Sequence, residues 1–254
     1  MNFSVSYRSE FLKTRRTSSW YLGVLIGLFI PFVLFTDYMF QEDITEKVKS
    51  DSWQILLQDG FMLFNLLMLP LFVLLTATLL PQLEFRNNTW KQVLASPQPL
   101  AQIFLARYCV LLSMIGVFLL VHNISLVTTG IAIGIFFPQY HFTEYRVDIT
   151  LMLMASLKTM TCVLAMSAFQ FWMGLRFRNF IAPMTIGLVI WIFSNITTFE
   201  FRFPLMEFNP FTYLALASFA KYQDKMTVVM IGSVCFCAAF LTLGFYDFRK
   251  KRLR

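Results

Sequence analysis

The chain has 254 residues, of which 57% are hydrophobic and 14% are charged, and it contains 30 Phe and 14 Met. A soluble domain carries roughly 25% charged residues, so the composition excludes an ordinary soluble globule. So much apolar surface must be buried somewhere, which also excludes a disordered chain. A membrane-spanning helix takes about 20 residues, so the chain has room for several spans and for no separate catalytic or nucleotide-binding domain.

The segment before the first apolar run, residues 1–18, combines aromatic and basic side chains. Phe3, Tyr7 and Phe11 recur at helical spacing. The basic residues beside them are Arg8, Lys13, Arg15 and Arg16. This pattern favours either a helix that lies in the membrane interface or a solvated basic flank.

Apolar runs predict six membrane spans. They cover residues 19–39, 60–81, 103–137, 149–175, 181–199 and 226–246. At 1.5 Å per residue the third run extends roughly 50 Å, which is too long for one simple crossing. We therefore expect it either to project past the bilayer or to break near His122, Asn123 or Gly130.

Lys and Arg alternate in abundance between successive connecting segments. Fourteen lie in the N-terminal segment, the second and fourth loops and the C-terminal segment, and six lie in the alternate segments, with eleven of the fourteen acids. The positive-inside rule then places both termini in the cytoplasm, which agrees with an even number of spans. The net charge of +7 thus indicates topology and contact with anionic lipid, and does not indicate nucleic-acid binding.

The loop between the second and third spans, residues 82–100, contains a short amphipathic pattern. Thr89 is a suitable N-cap, and Trp90, Val93 and Leu94 form an apolar stripe that ends before Pro97. The predicted helix either docks a soluble partner or packs on lipid head groups.

The same loop carries a family resemblance. Its pattern is similar to the cytoplasmic loop of type-2 ATP-binding-cassette (ABC) exporter permeases, read here as Glu84, Thr89, Leu94 and Pro97 and followed by Ile103 and Arg107. The wider plan is similar too. Those permeases have an N-terminal elbow helix, six spans, both termini inside, a coupling helix after the second span and an outer segment before the last span.

The resemblance implies an all-α, polytopic permease domain over residues 1–254, with an interfacial elbow helix at 1–18, a coupling loop at 82–100 and an extracytoplasmic segment at 200–225. It implies a bacterial cytoplasmic membrane location and a dimer with a second copy or a homologous permease. It also implies contact with a separate ABC ATPase subunit through Glu84, Thr89, Trp90, Leu94 and Pro97. The chain has no G-x-x-x-x-G-K-[ST] phosphate loop, so we expect it to bind no cofactor and to use ATP through that partner.

Two ionisable residues fall inside predicted spans, where a charge is costly. Lys158 either lines a substrate path, where it would bind an anionic group, or is a structural lysine that snorkels or pairs with an acid. His122 either belongs to the same path or sits at the outer interface, and a lone His is weak evidence for a metal or a proton relay. The sequence does not identify the substrate.

Two other functions stay open beside an exporter. An intramembrane enzyme needs clustered catalytic groups, and the spans contain neither H-E-x-x-H nor a Ser or Asp pair at helical spacing. An ion- or proton-coupled carrier needs buried carboxylates and paired broken helices, which the sequence does not show.

Overall fold

The computed structural model describes residues 3–15, 17–40, 51–86, 98–200 and 206–252. All regular structure in these ranges is helical, which confirms the all-α fold class. The helices are α1 (Phe3–Thr14), α2 (Ser18–Phe40), α3 (Ser52–Leu63), a π-helical turn (Phe64–Met68), α4 (Leu69–Arg86), α5 (Leu100–Phe136), α6 (Ile149–Arg176), α7 (Ile181–Phe199), α8 (Tyr213–Ser218) and α9 (Met226–Arg252). Short 3-10 turns occur at Pro138–Tyr140, Met206–Phe208 and Ala220–Lys225.

Six helical stretches of the described chain are long and apolar enough to cross a membrane. They are Ser19–Phe40, Ser52–Phe85, Leu100–Phe136, Ile149–Arg176, Ile181–Phe199 and Ala220–Lys250. Each contains the greater part of one predicted span. The second begins earlier than predicted because Asp51 caps α3 by accepting a hydrogen bond from the Gln54 backbone N–H at 3.2 Å, so the helix starts before the apolar run does.

Helix α5 is continuous over 37 residues, which corresponds to about 55 Å. The expectation of a break at His122, Asn123 or Gly130 is therefore wrong. The Asn123 amide donates to the Ser156 hydroxyl at 2.8 Å, so it bonds to α6 and leaves its own helical backbone intact. Gly130 packs against the Trp53 ring, where a Cβ atom would lie 2.5 Å from Cη2.

The bundle is organised around α5 and α6. Helices α1 and α2 pack along α5, whereas α4 and α9 pack along α6. The core between them is rich in fully buried Phe side chains: Phe64, Phe72, Phe118 and Phe171. Helix α7 packs on α4 and α6 and leaves much of its apolar surface exposed, for example Ile181 and Phe193, as expected for a helix that faces lipid.

Two connecting segments cover the end of the bundle at which α3 and α6 begin. In the segment after α5, the Phe142 and Tyr145 carbonyls accept hydrogen bonds from the Trp53 indole N–H at 3.0 and 3.1 Å. In the segment before α9, α8 is buried against α6 and the π-helical turn. The part of the 200–225 segment that the structure describes therefore folds back onto the helices.

Candidate functional site

Helix α1 turns a polar face towards the rest of the protein. Ser6, Glu10 and Thr14 recur every four residues and are buried, whereas Phe3 and Leu12 are exposed. The Ser6 hydroxyl donates to the Gln98 side-chain oxygen at 3.0 Å, and the Tyr7 hydroxyl lies 2.7 Å from that of Ser113. The predicted N-terminal helix is therefore present, and its polar face is bonded to α5 and to the residues just before it.

Four charged side chains meet where α1, α4 and α5 come together. This ion cluster consists of Glu10, Lys13, Glu84 and Arg107. Arg107 donates from Nε to Glu10 at 2.9 Å and from Nη2 to Glu84 at 2.9 Å. Lys13 lies 2.7 Å from Glu10 and 3.2 Å from Glu84. Two cations balance two carboxylates, which permits burial that an unpaired charge would not tolerate.

The ion cluster determines where Glu84 points. Its side chain is 9% exposed and is directed at Arg107 and Lys13. Gln98 lies near the other end of the 82–100 loop, and its side-chain oxygen accepts a hydrogen bond from Ser6. Residues on both sides of 87–97 are thus held by α1. Thr89, Trp90, Leu94 and Pro97, predicted with Glu84 to couple to the ATPase, lie outside the described residues.

Sequence reasoning did not single out Glu10 or its pairing with Arg107. A signal was available, because Glu10 is the one acid among the first eighteen residues, which are otherwise basic. An isolated acid in a basic segment indicates a specific partner. The partner itself lies 97 residues away along the chain, and helical periodicity carries no information on such a pairing.

A second site lies at the end of the bundle where α3 and α6 begin. This α3–α6 cavity has a volume of about 590 Å³ and is lined by α3, the π-helical turn, α6 and residues 217–223. Its apolar walls include Leu57, Phe61, Met62, Leu151 and Met154. Its polar lining includes Gln58, Asp59, Asn65, Asp148, Lys158, Thr159, Ser218 and Gln223.

The π-helical turn presents Asn65 to this cavity. The Asn65 amide nitrogen donates to Thr159 at 2.9 Å and to Ser218 at 3.1 Å, and the Thr159 hydroxyl is 3.1 Å from the Asn65 amide oxygen. Asn65 and Thr159 are both buried. These bonds join α6 and α8 to the π-helical turn, and single π turns inside helices occur frequently at functional sites.

Lys158 lines the α3–α6 cavity, and its Nζ donates to the Gln223 side-chain oxygen at 2.7 Å. It precedes Arg176 by about 27 Å along α6, so a hydrocarbon core of roughly 30 Å that begins at Arg176 ends close to Lys158. The ammonium has a polar partner and no carboxylate within salt-bridge distance in the described part of the chain. Lys158 thus lines a polar cavity and is bonded there to a neutral amide.

His122 is placed differently from Lys158. Its side chain is fully buried, it stacks on Phe64 with ring centroids 4.0 Å apart, and the Phe61 ring meets it edge-on at 5.8 Å. His122 is therefore packed among aromatic rings inside the helix bundle. Because Phe61 also lines the α3–α6 cavity, His122 lies one aromatic ring behind the cavity wall.

No three His, Cys, Asp or Glu side chains in the described ranges are close enough together to hold a metal ion.

Comparison with known proteins identifies the family of this chain. A family model described as ABC-2 family transporter protein matches residues 7–194. The chain belongs to the ABC-2 transporter family. Searches of curated proteins and of solved structures gave no match. The matched range runs from α1 to α7, so this ABC-2 permease carries both the ion cluster and Lys158 within its family domain.

The family confirms the predicted class of protein. With six apolar helices, the ABC-2 permease is a multi-pass membrane protein and a transport component. The resemblance seen in the loop between the second and third spans therefore led to the correct family.

Proposed function

We propose that this permease is the membrane subunit of an ATP-driven exporter and works as a dimer with a second copy or a homologous permease. A separate ABC ATPase subunit drives it, and the chain itself has no ATPase site and binds no cofactor. The proposed location is the bacterial cytoplasmic membrane, with both termini in the cytoplasm. The family match over residues 7–194 is the observation that carries this proposal. A dimer is favoured because the substrate path then forms between like faces.

The ion cluster supports a route for energy coupling. In this proposal the ATPase contacts the 82–100 loop through Trp90 and Leu94, with Thr89 and Pro97 bounding the helix between them. Glu84 and Gln98, beyond the two ends of that helix, are bonded to α1. Arg107 joins the same cluster to α5, so a displacement of the loop moves α1, α4 and α5 together as a rigid-body switch.

In this proposal the α3–α6 cavity is the substrate site, on the side of the membrane opposite to the ion cluster. Its lining residues lie in the first part of α6, in the second half of α3 with the π-helical turn, and in residues 217–223, and α6 begins directly after a predicted outer loop. In this proposal Lys158 contacts the substrate path directly, and His122 supports the path from behind Phe61.

Copurification tests the exporter proposal. We expect a P-loop ATPase to copurify with the wild-type chain from its native membrane. Replacing Trp90 and Leu94 by Ala together should weaken the complex by about 2 kcal/mol or more, roughly 30-fold, if either is a packed anchor. The measurements are the amount of copurified ATPase and its rate of ATP hydrolysis.

Leu12→Ala is the matched control, because Leu12 is an exposed apolar residue of α1 at the same end of the bundle. It should leave ATPase recovery unchanged. If the double variant retains wild-type recovery and hydrolysis, the helix is an interfacial lipid contact. If no ATPase accompanies the wild type, the exporter proposal is rejected in favour of an ion-coupled carrier.

A further inference from the structure

The α3–α6 cavity is built from two helix faces with matching periodicity. Helix α3 and the π-helical turn contribute Leu57, Phe61 and Asn65, four residues apart, and α6 contributes Leu151, Ala155 and Thr159, also four residues apart. Each face is about 12 Å long. The cavity is therefore an elongated groove whose side walls are mainly apolar.

One end of the groove is closed by hydrogen bonds. Asn65 bonds there to both Thr159 and Ser218. Asn65 and Thr159 are almost completely buried, so these bonds do not depend on solvent. A ligand thus meets a preorganised polar end and apolar sides.

Lys158 supplies a positive charge close to that end. An ammonium group has three donors, and one of them is used by Gln223 at 2.7 Å. No other hydrogen bond from Lys158 is found in the described ranges, so two donors remain for a ligand. Side chains on a helix tilt towards its N-terminus, which directs the Lys158 chain along the groove.

Two carboxylates also line the groove. Asp148 precedes Lys158 by about 15 Å along α6, and its carboxylate accepts a hydrogen bond from the Leu151 backbone N–H at 2.9 Å. Asp59 lines the cavity from α3, before the π-helical turn. One carboxylate thus lies at the start of α6, the other lies in the second half of α3, and the Lys158 ammonium lies beside the polar end of the groove.

We propose that the α3–α6 cavity binds an amphipathic molecule whose anionic group, a carboxylate or a phosphate, contacts Lys158 while its apolar part lies along Phe61, Met62 and Met154. This inference adds a substrate class to the proposed function. It rests on that function in one respect, namely that the bound molecule is the one transported. Binding itself requires no ATPase. The anionic group comes either from a bilayer phospholipid or from a free amphiphile.

Photolabelling of the full chain in phosphatidylcholine nanodiscs tests the site. The probe is dodecanoate with a diazirine in its tail, mapped by mass spectrometry and competed with unlabelled dodecanoate. Labelling is expected on α3 and α6 residues of the cavity, and Lys158→Met should raise the half-competing concentration at least tenfold. Lys158→Arg should restore it, and dodecyltrimethylammonium should compete poorly.

Lys221→Met is the matched control, since Lys221 is an exposed lysine of the connecting segment that carries Gln223 and is outside the cavity lining. It should leave competition unchanged. Met154→Trp, which fills the groove, should reduce labelling even if Lys158→Met fails to fold. Equal competition in wild type and Lys158→Met, or labelling confined to other helices, overturns the proposal.

The lipid composition distinguishes the two sources of the anion. If an anionic phospholipid is the natural ligand, nanodiscs of phosphatidylglycerol should suppress dodecanoate labelling in the wild type relative to nanodiscs of zwitterionic phosphatidylcholine. If a free amphiphile is the ligand, labelling should be similar in both lipids, and either result supports an anionic site. If specific labelling is absent but the ATPase copurifies, only this inference is rejected. If labelling is specific but no ATPase copurifies, the exporter proposal is rejected and the binding site stands.

Discussion

Arg107 shows how a charged residue is accommodated close to a membrane-spanning core. Its side chain is 7% exposed and is shared by two carboxylates that belong to different helices. Removing one member of such a cluster leaves the others buried without full compensation. The balance of charges, rather than any single bond, is what makes the cluster stable.

We expect Arg107→Met to destabilise the protein by about 3–5 kcal/mol, because the buried Glu10 and Glu84 carboxylates would each lose a charged partner. Arg176→Met is the matched control, since Arg176 is 54% exposed and pairs with Asp247 at 3.3 Å, and an exposed pair contributes about 1 kcal/mol or less. Thermal unfolding in detergent measures both. Similar loss of stability in the two variants would show that the ion cluster has no special role.

The sequence identified individual residues of the two sites more readily than their partners. The loop resemblance singled out Glu84, and the rarity of charge inside apolar runs singled out Lys158 and His122. Burial then separated the last two, because neighbouring aromatic rings enclose His122 whereas Lys158 reaches a polar cavity. Both residues are ionisable residues inside an apolar run, so hydropathy treats them alike. The tertiary contacts that distinguish them cannot be read from hydropathy.

At the scale of elements, the second span differs most from its prediction. A regular helix was expected over residues 60–81, and the structure has α3, the π-helical turn and α4 in succession. A π turn inserts one extra residue, which leaves no periodic mark in so apolar a sequence. Asn65 is the one polar residue in the turn, and its hydrogen-bond partners lie on α6 and α8.

Close packing between α3 and α5 leads to a second prediction. Gly130→Ala would place a Cβ against the Trp53 ring, which is held by two hydrogen bonds and cannot move aside freely. We expect a loss of about 1–3 kcal/mol. At Gly116 of the same helix, an added Cβ would meet no other atom within 4 Å, so Gly116→Ala should be neutral or stabilising by up to about 1 kcal/mol.

Thermal unfolding of the two glycine variants, measured side by side in the same detergent, checks this prediction. A loss of stability at Gly116 that equals the loss at Gly130 would mean that the contact with Trp53 does not limit α5 packing.

At the scale of the whole molecule, the alternation of basic segments predicts the orientation of the bundle. In a variant whose four native cysteines are replaced, a single cysteine at Asn87 should react with a membrane-impermeant maleimide only after the cells are opened. A cysteine at Glu46 should react in intact cells. The expectation follows from the fourteen-to-six distribution of Lys and Arg. Labelling of Asn87 in intact cells would contradict both the topology and the coupling role of its loop.

The number and order of the spans could be predicted because a bilayer imposes a length and a composition on each helix. The way in which the spans pack could not. Six spans, the N-terminal helix and the family were all accessible from residues such as Phe3, Tyr7 and the Glu84 loop pattern. The pairing of α6 with α4 and α9, and the folding of α8 onto the bundle, depend on side-chain fit between distant segments.

The pairing of Glu10 with Arg107 also sets an order for biosynthesis. The two residues are separated by 97 positions, so the inward face of α1 has no ionic partner on α5 until Arg107 has left the ribosome, on the order of 5–20 s later. Until then we expect α1 to remain undocked, with its polar face in contact with water. Docking of α1 therefore requires that the start of the third span has been synthesised. In a chain truncated before residue 107, α1 should remain accessible to protease.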